Sequence, residues 1–160
     1  MPRIDFYVLS EQTPEGRERL ACRLAEKAYG LGHKVYIHAA SAEHARSLDD
    51  LLWTFRQGSF VPHRLYPPES GETPPVLIGW GETSARAAEL FGGLAAVSSD
   101  SQLPAMAAVL INLSTELPSA FERFERLVEL VDQDPAVLAK SRELFRYYRE
   151  RGYSPASHKL

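Results

Sequence analysis

The sequence predicts a three-layer α/β sandwich with a largely parallel or mixed central sheet. Three observations predict it. Short apolar runs rich in β-formers alternate with longer stretches of helical periodicity, the pattern of successive βαβ units. Glycine, proline or a capping residue stands at most of the switches between them. The 160 residues, 44% hydrophobic and 24% charged, are enough to bury one core without disulfides or metals. No internal repeat or low-complexity linker interrupts the chain, so residues 1–160 are expected to form a single domain.

Ile4-Asp5-Phe6-Tyr7-Val8-Leu9 is short and apolar and reads as a buried first strand. Thr13-Pro14 supplies an N-cap and a first-turn proline, with Glu15 at the positive end of the helix. Leu20, Leu24, Ala28 and Leu31 follow at helical spacing until Gly30 and Gly32 stop the helix. Lys34-Val35-Tyr36-Ile37-His38-Ala39 is a second strand, and Ser41 caps a second helix striped by Ala45, Leu48, Leu51 and Leu52. Val61-Pro62-His63 lies between Gly58 and Pro67-Pro68, and Val76-Leu77-Ile78 reads as a third strand. A short helix is expected from Ala85 to Leu90, with loop or turn at Gly92-Gly93 and Ser98-Ser99. Ala107 to Leu113 is a fourth strand. Phe121, Phe124, Leu127, Val128 and Val131 then share one face of a predicted helix, and Asp134-Pro135 caps a last helix running to Gly152.

Several functions are excluded by what these residues lack. A net charge of −3 argues against broad attraction to nucleic acid, so any basic function must be local. The one cysteine, Cys22, falls inside a helix, where it serves as a small packing residue, and no Cys/His cluster has zinc-site spacing. The N-terminus runs straight into a strand without a signal peptide, and no apolar stretch is long enough to span a bilayer; a cytoplasmic location is expected. The first strand–helix turn, Ser10 to Gly16, has no glycine-rich run and carries two carboxylates that would repel a phosphate. Gly79-Trp80-Gly81 follows the wrong strand for a dinucleotide fingerprint and has Ser84 where the third glycine would stand. His33, His38, His44, His63 and His158 accompany neither a nucleophile elbow nor a second zinc histidine, and read as surface or loop residues. No catalytic residue, metal or cofactor is expected.

Two segments point to protein binding. On the last helix Val137, Leu138, Ser141, Leu144, Phe145 and Tyr148 fall in one sector, and Arg142, Arg146 and Arg149 form a second stripe along its Phe145 edge. Arginines beside an aromatic edge can hold carboxylates bidentately while an apolar group sits next to them, as an acidic peptide with a hydrophobic end requires. Cations also favour the negative end of a helix for purely structural reasons. Leu51 through His63 gathers Trp53, Phe55, Phe60 and Arg56, residue types that anchor interfaces, around a helix end that could equally plug the core.

In this order the residues resemble a known family. Asp5-Phe6-Tyr7-Val8-Leu9 at the start is similar to the first strand of the chi subunit of the bacterial DNA polymerase III holoenzyme. Leu52-Trp53 followed by Ser59-Phe60-Val61-Pro62-His63 is similar to its most distinctive stretch, and Arg142 through Arg146, Tyr148, Arg149 and Gly152-Tyr153 to its last helix and turn. The resemblance spans nearly the whole chain. It implies a non-catalytic accessory subunit of the clamp-loader assembly in DNA replication, with two protein partners. The psi subunit would face Trp53, Phe60, Val61, Pro62 and His63. The acidic C-terminal tail of single-stranded DNA-binding protein would meet Arg142, Phe145, Arg146, Arg149 and Ser157, and nucleic acid would be reached mainly through that protein. Leu138 stands where the family's tail site is basic and Phe145 where it has a tyrosine; Lys140, Arg149 and Lys159 are the candidates to restore the charge. Residues 81–104 are longer than the family's usual connection. Two alternatives stay open: a helicase or other repair partner at the Trp53/Phe60 surface, and a small-molecule-binding α/β enzyme near His38, His44 and Gly79-Trp80-Gly81.

Overall fold

Strands and helices alternate almost throughout. The computed structural model describes residues 2–13, 15–58, 60–69, 74–97 and 108–160. In chain order it contains β1 (Arg3–Val8), α1 (Gly16–Gly30), β2 (Lys34–Ala39), α2 (Ala42–Thr54), β3 (His63–Leu65) and β4 (Val76–Trp80). Then come α3 (Ser84–Val97), β5 (Ala108–Asn112), a 3-10 turn (Phe121–Arg123), β6 (Arg126–Val131), α4 (Pro135–Glu150) and β7 (Ala156–Lys159). The seven strands form one sheet in the order β3-β4-β2-β5-β6-β1-β7, and every pairing is parallel.

Alternation along the strands divides the core in two. Val35, Ile37, Ile78, Ile111 and Val128 point to one face, under Cys22 and Ala25 of α1 and Leu48 and Leu52 of α2. Phe6, Tyr36, Leu77, Leu110 and Leu127 point to the other, under Phe91 of α3, Phe121 of the 3-10 turn, and Leu144 and Tyr148 of α4. Parallel strands with helices on both sides need apolar residues on both faces, which explains the unbroken runs in β4 and β5. Cys22 is fully buried, and burial pushes its thiol up to about 12, as suits a packing residue.

Several elements depart from expectation. The helix expected over Phe121–Val131 is a 3-10 turn followed by strand β6. Its apolar spacing fits one helical face, but Leu127-Val128 and Leu130-Val131 also make the near-continuous run of a strand buried on both faces. β6 sits between β5 and β1, where only a strand can complete the ladder. Thr13 does not cap α1: Glu15 occupies that position in a left-handed conformation (φ 59°) without a side-chain cap. A Cβ at Gly16 would come within 2.6 Å of Thr13 Oγ1, so glycine allows this tight entry. α3 continues through Gly92-Gly93 to Val97 rather than ending in a loop at that pair. β3 and β7 have only three and four residues, too short to show a period. His38 and His63 are buried, not superficial. The expectations for Pro14, Ser59, Ser98-Ser99 and Ala107 fall outside the described residues.

Candidate functional site

α4 begins cleanly because Asp134 accepts a hydrogen bond from the Val137 amide at 3.2 Å, with Pro135 in the first turn. The chain leaves β6, runs through α4 and returns as β7 on the far side of β1, so the crossover carries α4 over β1. Leu144 and Tyr148 are buried on the sheet, and Phe145 packs half-buried against Phe6 with ring centroids 5.2 Å apart. The next stripe is exposed. Arg142, Arg146 and Arg149 flank Phe145 and Glu150 around an open pocket of about 530 Å³. None of the three arginines makes an ion pair or hydrogen bond among the described residues.

Register brings β7 to the same place. Ser157 pairs with Phe6 and Lys159 with Val8, so both side chains stand on the face that Phe145 covers. Both are exposed. The other flank of α4 is chemically different: Lys140 pairs with Glu143 at 3.6 Å, and the Arg151 guanidinium lies over the Tyr147 ring at 4.6 Å. Leu138 is half-buried against the core, so this position contributes packing. The structure thus gathers Arg142, Phe145, Arg146, Arg149 and Ser157 along one edge. Of the candidate cations it brings Lys159 to the same face, through the pairing of β7 with β1.

The second aromatic segment lies at the opposite edge, beside β3. Trp53 and Phe60 are 52% and 64% exposed, with rings 5.7 Å apart. Pro62 is half-buried, whereas Val61 and His63 are interior. The His63 ring lies 4.7 Å from that of Trp53. Its Nδ1 is 2.7 Å from the Val61 carbonyl and its Nε2 is 3.1 Å from that of Asp49, tying the loop to α2. Val61 and His63 are therefore supports, and Trp53, Phe60 and part of Pro62 are the available surface.

Of the residues of the small-molecule alternative, His38 and Gly79 are neighbours, and both are taken up in packing around Tyr36. His38 Nδ1 lies 2.9 Å from the Tyr36 hydroxyl, which lies 2.6 Å from Thr83 Oγ1. Burial lowers His38 to about 4, so it is neutral at ordinary pH. His44 instead accepts from the Ala40 amide at 3.0 Å, at the start of its own helix. Gly79 pairs with His38, but a Cβ there would sit 2.7 Å from the Tyr36 hydroxyl. That glycine accommodates Tyr36, not a phosphate.

A buried carboxylate went unrecognised in the sequence because β6 reads as a helix. Glu129 Oε2 accepts from Tyr148 at 2.6 Å and from Asn112 at 3.1 Å, and burial raises it to about 7.

Residues 1–156 match the model of the family described as DNA polymerase III chi subunit, HolC. The chain belongs to that family. It is 38% identical to DNA polymerase III subunit chi of Pseudomonas aeruginosa over 160 residues, covering 100% of this chain and 98% of that protein. It is 28% identical to the subunit chi of Haemophilus influenzae, covering 93% and 91% of the two chains. With the Escherichia coli subunit chi it shares 26% identity, covering 96% and 95%. Family membership makes the protein a chi subunit of DNA polymerase III, acting in DNA replication. Among the described residues, no helix is long and apolar enough to cross a membrane.

Proposed function

We propose that this chi-family protein is a non-catalytic adaptor of the clamp loader. It holds the acidic C-terminal tail of single-stranded DNA-binding protein on the α4 edge and the psi subunit on the Trp53/Phe60 edge. The observation that carries the tail reading is the row of arginines beside Phe145, unpaired among the described residues. Exposed arginines without carboxylate partners keep their bidentate donors free, and Phe145 with the open pocket offers an apolar seat beside them. The psi reading is supported by the exposed Trp53–Phe60 pair, fixed from beneath by His63.

A carboxylate-rich tail on exposed arginines binds less tightly as salt rises, because the charges are screened. The test is a titration of a synthetic tail peptide at low and high salt, against wild type and Arg142→Glu combined with Arg146→Glu. The double variant is expected to lose about tenfold or more in affinity at low salt and much of the salt dependence. Unchanged affinity would reject the α4 tail site.

A further inference from the structure

The sheet is wider than the helices on one of its faces. Seven strands span about 29 Å at ~4.8 Å spacing, and two helices cover about 20 Å. α2 packs on β3, β4 and β2, and α1 on β2 and β6, with β5 between those two strands. Between the flank of α1 and the strands β5, β6 and β1 there remains a cavity of about 140 Å³. It lies on the opposite face of the sheet from α4.

Its floor is aliphatic, with Leu24 from α1, Ile111 from β5 and Val128 from β6, and the exposed Leu31 after the helix stands at its mouth. Its polar rim is built from three places. Lys27 stands on α1, exposed and without an ion pair among the described residues. His33 follows the helix, and its Nδ1 is buried with no hydrogen-bond partner among the described residues. Arg126 on β6 donates from Nε to Asp5 at 3.0 Å and from Nη2 to the Tyr7 hydroxyl at 2.8 Å, leaving Nη1. Among the described residues, no carboxylate lines the cavity. Asp5, which touches Arg126, is already shared with Arg3 at 3.2 Å and His158 at 2.9 Å, so it adds little negative potential.

We propose that this cavity binds a carboxylate carrying a short apolar group, with the carboxylate on Lys27 and Arg126 and the apolar group on the aliphatic floor. A cavity of about 150 Å³ accepts a benzene-sized molecule, so a leucine-sized side chain fits the space. Chain ends and free branched carboxylic acids share this chemistry. The site is independent of the α4 edge, since the two lie on opposite faces and share no residue.

The test follows methyl NMR signals of the full chain during millimolar titrations with N-acetyl-leucine, its C-terminal amide and isovalerate. Saturable shifts at Leu24, Ile111 and Val128 are expected with N-acetyl-leucine, at least about fivefold weaker with the amide, which lacks the charge. Comparable binding of isovalerate assigns the site to free acids; binding of N-acetyl-leucine alone assigns it to chain ends. Lys27→Glu, an exposed change that leaves the Asp5–Arg126 network untouched, should weaken binding at least about fivefold. Arg142→Glu with Arg146→Glu should not change it. Equal binding of acid and amide, insensitivity to Lys27→Glu, no saturable shift at these methyls, or loss in the α4 variant would each overturn the proposal.

Discussion

Glu129 and His38 set opposite pH dependences from within one fold. Burial raises Glu129 from 4.5 to about 7, so the folded state holds its proton more tightly than the unfolded chain. Stability from this group is full below 4.5 and is lost as pH rises to about 7, by an order-of-magnitude total of about 3 kcal/mol. His38 moves the other way. Lowered from 6.5 to about 4, it costs stability at acid pH and stops doing so as pH rises through 6.5. The two trends oppose each other across the shared window. Glu129→Gln removes one, so the stability of the variant relative to wild type should rise by about 2–3 kcal/mol from about pH 5 to about pH 8 in urea unfolding. A constant difference across that range would show that Glu129 does not titrate there. Neither residue's role was legible in the sequence. Placing Glu129 in a helix gives its carboxylate a route to water, and the strand takes that route away.

At the level of elements, α4 has two flanks of different character, and the difference decides which lysine can serve the proposed tail site. Lys140 faces Glu143 on the flank away from Phe145. Lys159 pairs with Val8, two residues along the sheet from the Phe6–Phe145 contact. Two strand residues span about 6.6 Å and four helix residues about 6 Å, so Lys159 stands near the level of Arg142, toward Leu138. For the proposed tail site it is therefore the cation best placed to supply the charge that the family resemblance implies at Leu138. Lys159→Ala should weaken tail-peptide binding about threefold to tenfold while Lys140→Ala leaves it within error, measured by calorimetry. Equal effects would remove the distinction between the flanks. α4 itself was legible, because its cap, apolar sector and arginine stripe all follow from local periodicity. β7 was not: four residues, alternating half-buried and exposed, carry too little pattern to announce a strand.

Across the whole molecule, the two proposed protein surfaces lie at opposite edges of one sheet, beside β3 and β7. Six strand spacings put those edges about 29 Å apart, too far for one small partner to cover both. Both partners should therefore bind together, giving a ternary complex by sedimentation, and Phe60→Ala should weaken psi by more than about 1 kcal/mol without changing tail affinity. Mutual exclusion of tail and psi would contradict this arrangement. The sequence by itself determined the α/β class, β1, β2, β4, β5 and the last helix, and the residue types of both surfaces. These rest on neighbours within a turn or a few strand residues, so local chemistry suffices. Only the tertiary structure decided that Phe121–Val131 is a turn and a strand, that Val61 and His63 support Trp53 and Phe60, and that Ser157 and Lys159 join the arginines. Those facts depend on which strand lies beside which, and parallel neighbours here meet through contacts between residues far apart in the chain. A local pattern that fits two structures is settled by the neighbour that completes its hydrogen bonds.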